Sequence, residues 1–200
     1  MRKDDKGYTL IELIVVLAIM AILMSMLIIG LAILPATAAK GCANGLKTFI
    51  GQTRILTMGK QETVLEFYRD SSNGRYYVRE FAKSNDASGT SWTATMADEE
   101  CGRSNITVSY HIEDSSDPID DSDLSAAGYT EMNKGDVILF TFDRGKGSLK
   151  ASDSTALSGL DALTYDGSNE SQKYDCIKVS GGATDYYVRI HTATGKVVLK

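Results

Sequence analysis

Basic residues are too few and too scattered in this chain for a grip on nucleic acid. It holds 21 Lys and Arg against 26 Asp and Glu, a formal charge of −5 and a pI near 5.1. No dense Lys/Arg face of the kind that neutralises phosphates stands out. Histidine is scarcer still. His111 and His191 are the two present, and a zinc site would have to borrow cysteines at no recognisable spacing. Cysteine occurs three times, as Cys42, Cys101 and Cys176, so one pair at most can close within the chain. Cys101 with Cys176 is the expected disulfide, because both fall in the polar part of the chain while Cys42 lies near an apolar block; three unpaired small hydrophobes is the plain alternative. Catalytic signatures are missing as well. Gly145-Lys146-Gly147 and Gly181-Gly182 have neither the spacing nor the following helix of a phosphate-cradling or dinucleotide loop, there is no nucleophile elbow, and these glycines read as turns. No enzyme activity and no cofactor is expected.

Charge is absent from one region in particular. Residues 13–34 are 22 consecutive positions without Asp, Glu, Lys or Arg, whereas the remainder is polar and rich in Gly, Ser, Thr and Asp. As a helix this run would span roughly 33 Å at about 1.5 Å per residue, enough to cross a bilayer core. Arg2, Lys3 and Lys6 precede it, so the positive-inside rule leaves the first residues in the cytoplasm and puts everything after Pro35 outside. A cleaved secretory signal is the competing reading, with Ala36-Thr37-Ala38-Ala39 as its cleavage site, but the run exceeds the usual apolar core of about 7–15 residues. The overall make-up, 43% hydrophobic and 24% charged, suits one modest globular domain with a short appendage.

Glu12 is the one acid within the segment 8–34. A carboxylate flanked by Leu10, Ile11, Leu13 and Ile14 is expensive in lipid and calls for a partner. No basic residue of the span supplies one. A second copy could, if the chain were cut before Tyr8: the new amino group of one subunit would then neutralise Glu12 of its neighbour inside a shared helical bundle. The plain alternative is a Glu near the membrane edge that reaches water.

The segment Gly7-Tyr8-Thr9-Leu10-Ile11-Glu12-Leu13 resembles the type IV prepilin cleavage motif, a leader ending in Gly followed by an aromatic residue and T-L-I-E-L. The resemblance implies that a membrane aspartic peptidase cuts between Gly7 and Tyr8 and methylates Tyr8, and that Glu12 guides docking into a filament. Tyr8 stands where Phe is commoner. The implied organisation is a leader over 1–7, a transmembrane and assembly helix over 8–58, and an extracellular β-rich head over 59–200. Implied partners are the prepilin peptidase, other pilin or pseudopilin subunits, the inner-membrane assembly platform, and membrane lipid before assembly. The implied location is a single-pass membrane protein, then an extracellular filament.

Pro35 should kink the helix, since it lacks the N–H and crowds the preceding turn. Beyond it Leu46, Phe49, Ile50, Thr53 and Leu56 fall close to one helical face that should pack on a sheet, while Gly41, Gly45 and Gly51 weaken helix propensity. After Gly59 the period changes to two. A hairpin is expected over 63–68 and 75–81 around Asn73-Gly74, with further strands at 106–112, 137–142, 176–180, 186–191 and 196–200. The fold class is therefore α+β: a long N-terminal hydrophobic helix packed on a C-terminal antiparallel sheet head.

The order of these pieces, with VILFTFDRGKG at 137–147 and VRIHTATGKVVL at 188–199, is similar to the H-type minor pseudopilins of type II secretion and their fimbrial T-type relatives. That likeness implies a minor, priming role. The polar stretches 82–105 and 113–136 read as long loops. Six acids among residues 113–123 make Asp117, Asp120, Asp121 and Asp123 weak calcium candidates without EF-hand spacing; a solvated acidic loop is the favoured reading. Tyr76, Tyr77, Tyr186 and Tyr187 could stack on a ligand, yet paired tyrosines on alternating strand faces more often divide between core and surface. DNA is disfavoured as a partner and would need a local patch such as Arg144, Lys146 and Lys150. The function expected is that of a structural subunit of a type IV pilus or a type II secretion-like pseudopilus. The alternative is a signal-anchored binding or enzymatic domain that does not polymerise and for which Glu12 is dispensable.

Overall fold

The computed structural model describes residues 9–59, 61–86, 89–113, 119–151 and 172–200, without the side chains of 26–33, 85–86 and 89–91. Among the described residues a single long helix, α1 (Leu10–Gly59), is followed by eleven strands. Pro35 lies inside α1, and the helix continues through it. Gly41, Gly45 and Gly51 do not break it either. Their weak propensity is overridden by packing, because the helix's second half is where its apolar face is buried.

That face consists of Ala39, Cys42, Ala43, Leu46, Ile50, Thr53 and Thr57, spaced by three and four residues so that all point one way. Leu46 and Ile50 are fully buried, each contributing about 1.5–3 kcal/mol. The expected stripe is corrected at its end: Leu56 is exposed, as are Ile55 and Met58, and Thr57 takes the inward position. Thr57 is tolerated inside because its hydroxyl bonds back to the Thr53 carbonyl at 2.9 Å.

The strands form two antiparallel sheets. The first contains β1 (Thr63–Arg69), β2 (Tyr76–Asp86), β3 (Gly89–Ala94), β4 (Glu99–Gly102), β7 (Val137–Phe142) and β8 (Leu149–Lys150), in the order β3-β2-β1-β7-β8 with β4 also on β2. The second contains β5 (Thr107–Ile112), β6 (Thr130–Glu131), β9 (Tyr174–Gly181), β10 (Thr184–His191) and β11 (Lys196–Leu199), in the order β11-β10-β9-β5-β6. The hairpin expected at Asn73-Gly74 is there, with Arg69 opposite Tyr76 and Gly74 at φ +68°. The stretch 82–105 is not the loop that its polarity suggests. It carries the end of β2, all of β3 and all of β4, because Thr, Ser and Trp there suit an edge strand without giving an apolar alternation.

Helix α1 packs against β1, β2, β4 and β7 of the first sheet and β9, β10 and β11 of the second. One core is shared by all three layers. Leu65, Phe67, Ile138 and Phe140 face it from the first sheet, Ile177, Val179, Val188 and Ile190 from the second, and Leu46 and Ile50 from the helix. On the far face of the first sheet Val64, Val137 and Leu139 form a smaller cluster. The buried Glu66 lies there too, opposite Arg79, whose guanidinium binds both its carboxylate oxygens.

Candidate assembly site

The N-terminal half of α1 has no sheet to lie on. Leu10, Ile11, Leu13, Ile14, Leu17, Met20 and Leu23 are among its exposed large apolar side chains, and the apolar positions cover the whole circumference instead of one stripe. A helix apolar all round belongs in lipid or among other helices. Among the described residues no helix is long and apolar enough to cross a membrane, and that description leaves out the side chains of 26–33. Gly7 and Tyr8, the expected cleavage and methylation positions, lie outside the described residues.

Glu12 begins this rod, and its carboxylate is occupied. The Thr9 backbone N–H and hydroxyl each donate to Glu12 Oε2 at 2.9 Å, and the Glu12 N–H returns a bond to Thr9 Oγ1 at 3.3 Å. This is a capping box, which satisfies orphan donors at the helix start and places a negative charge at the positive end of the helix dipole. The charge argument from sequence looks for the acid's partner only on another copy. The Thr-x-x-Glu spacing at 9–12 is the signal for a partner in the same chain, and Thr9 is the residue that argument misses.

At its other end this half of α1 meets the head at Pro35. Gly181, at the end of β9, sits so close that a Cβ there would lie 2.6 Å from the Pro35 carbonyl carbon and 2.7 Å from Ala39 Cβ. Farther along, Arg54 donates through Nε to the carbonyls of Gly147 (3.1 Å) and Thr194 (3.0 Å), tying the helix to a turn of each sheet. Thr53 donates to the buried Glu80 on β2 at 2.8 Å, and Glu80 also accepts from Thr95 at 2.8 Å. The half of α1 after Pro35 is therefore fixed to the head by apolar packing and by polar bonds to both sheets.

The other candidates are dispersed. Cys101 does not face Cys176: it lies on β4 of the first sheet, with its sulfur 3.0 Å from that of Cys42. The expectation fails because α1 carries Cys42 into the head's core. Cys176 lies on β9, opposite His111 and Arg189 in register, where burial pushes its thiol up to about 11 and the Tyr129 hydroxyl reaches it at 3.5 Å. A hydrogen bond to Cys101, added to burial, holds the Cys42 thiol well above the usual range. Buried and with its pKa raised, the Cys176 thiol is not set up as a nucleophile.

Asp117 lies outside the described residues. Asp120 accepts from Ser122, Asp123 caps the short 3-10 turn Leu124–Ala126 through Ser125, and Asp121 accepts from Arg189 Nε at 3.0 Å. Among the described residues no three His, Cys, Asp or Glu side chains converge on a metal-sized site. His111 is buried against Asp175, Nδ1 to Oδ1 at 2.7 Å, and Arg189 holds the other oxygen of that carboxylate at 2.9 Å. This polar network across β5, β9 and β10 leaves no trace in the sequence, because its members are brought together only by strand register. Tyr76 is buried and Tyr77 half-buried, while Tyr186 and Tyr187 are both half-buried; Arg144, Lys146 and Lys150 are exposed around the β7–β8 turn.

Residues 2–28 match the family model described as the prokaryotic N-terminal methylation motif. No curated protein and no solved structure matches the chain. The rod-like helix start and its capped acid thus coincide with a motif of known meaning, and the chain carries at its N-terminus a type IV pilin-like prepilin signal.

Proposed function

We propose that the chain is a structural subunit of a type IV pilus or of a type II secretion-like pseudopilus, present as a minor subunit. Prepilin peptidase removes residues 1–7, the new terminus at Tyr8 is methylated, and α1 holds the subunit in the membrane until it is drawn into a filament. The observation carrying this reading is the run of exposed apolar side chains from Leu10 to Met24 around Glu12, in a chain whose residues 2–28 match the methylation motif. Exposed apolar area on this scale has to be covered by lipid or by neighbouring helices. In the separate subunit Thr9 satisfies the Glu12 carboxylate; in the filament the amino group of a neighbour's Tyr8 takes over the charge and sets the stagger between helices. No catalytic step is assigned to the chain.

The test is the intact mass and N-terminal sequence of the full chain co-expressed with its prepilin peptidase, beside a Gly7→Leu control. A mature chain starting at methylated Tyr8, with the control uncut, supports the reading. An uncut wild-type chain, or one cut near Ala38, defeats it. Cross-linking of the processed chain into a filament fraction, abolished by Glu12→Ala while processing persists, would then establish the docking role of the acid.

A further inference from the structure

We propose that Cys42 and Cys101 are joined by a disulfide in the mature protein, and that this bond locks the helix to the head where the rod emerges. The two sulfurs lie 3.0 Å apart, and Cys101 Sγ also reaches the Cys42 carbonyl at 3.3 Å. Glycines make the approach possible. A Cβ on Gly102, beside Cys101, would come within 3.1 Å of Cys42 Sγ and 2.6 Å of Ile106 Cδ1, and one on Gly45 would come within 3.7 Å of Cys101 Sγ. Cys42 lies two turns past Pro35 on the packed face of α1. β4 is a short edge strand attached to β2 through Tyr76, Tyr77 and Val78 with an irregular register. A covalent tie adds most at such a place, since it closes a long loop through an element with few ladder bonds.

The chemistry is thiol–disulfide exchange with a disulfide donor, such as an oxidised dithiol oxidoreductase outside the membrane. Cys101 is half-exposed and borders a cleft of about 480 Å³ lined by Thr37, Ala38, Gly41, Arg103 and Asn105. Its thiolate attacks one sulfur of the donor, displacing the other as a thiolate and leaving a mixed disulfide. Cys42, no longer bonded to a neighbouring thiol, then loses its proton and attacks Cys101 Sγ, expelling the donor's second thiolate. Two protons and two electrons leave the chain, and the donor ends as a dithiol. Cys176 takes no part, because it is buried on β9 of the other sheet.

The experiment uses the full chain in detergent, equilibrated with oxidised and reduced glutathione, unfolded in an alkylating reagent and mapped by peptide mass. The expected result is a chain lighter by two hydrogens, a linked pair of peptides containing Cys42 and Cys101, and an alkylated Cys176. Three alkylated cysteines, or a link involving Cys176, would overturn the proposal. A second measurement needs no new fold: reductant should lower the melting temperature of the oxidised wild type and leave Cys101→Ser unmoved. Equal reductant sensitivity in both would also overturn it. Neither readout depends on filament assembly, so failure here leaves the proposed function standing.

Discussion

Replacing Gly181 with alanine should unseat α1 from the second sheet. The added methyl would lie 2.6 Å from the Pro35 carbonyl carbon and 2.7 Å from Ala39 Cβ, with the Pro35 oxygen closer still. Carbon atoms in good contact sit about 3.5–4.0 Å apart, so the helix and the end of β9 must separate by roughly an ångström. The obstructing atoms are largely backbone and cannot swing away. Overpacking costs typically about 1–3 kcal/mol, and a backbone obstacle puts this case at the upper end. For a chain of this size about 3 kcal/mol corresponds to roughly 6–12 °C in melting temperature. Gly41→Ala is the control with the opposite sign. It is helical and meets nothing within 4 Å, so it should gain about 0.8–1 kcal/mol of helix propensity and melt roughly 2–4 °C higher. Both are read from thermal melts of the full chain in one detergent under oxidising conditions. A Gly181→Ala protein that melts with the wild type would refute the close approach of helix and strand, and with it the way the rod is held at Pro35.

Three further outcomes follow from the same packing. Glu66 is fully buried and paired with Arg79, so Glu66→Ala should cost about 3–5 kcal/mol in chemical denaturation, and replacing both residues with leucine should recover most of the loss; additive losses would contradict a paired charge. Leu46→Ala should cost about 2–5 kcal/mol, whereas exposed Ile55→Ala should stay within about 0.5 kcal/mol, and equal losses would misplace the buried helix face. Several carboxyls sit below their ordinary range in the folded head, among them Asp70 through the Ser72 hydroxyl and the Asn73 amide, Asp143 through the Lys146 and Gly145 amides, and Asp121 through Arg189. Their contribution is full above the unfolded carboxylate value of about 3.9 and is lost as pH falls through the lower folded values. Asp143→Asn should therefore flatten the acid limb of stability against pH, and an unchanged limb would show that Asp143 contributes nothing to it.

The N-terminal site is legible in the amino-acid sequence alone. Seven residues, Gly7 to Leu13, carry the prepilin pattern, and a long uncharged run follows them, because both signals are local and depend only on spacing along the chain. The α+β class and the hairpin at Asn73-Gly74 are legible for the same reason: period and turn chemistry are written in consecutive residues. Thr9 is visible in principle as half of a capping box, but weighing Glu12 only as a charge in lipid passes it over.

Local spacing along the chain thus suffices for the rod, its acid and the motif that marks it. Tertiary structure alone decided the rest. It carried Cys42 past Pro35 into the head and set it against Cys101, assembled His111, Asp175 and Arg189 from three strands, and turned a polar stretch into edge strands β3 and β4. These pairings join residues far apart in sequence, so they are fixed by strand register and by the helix filling the space between two sheets, neither of which has a local signature.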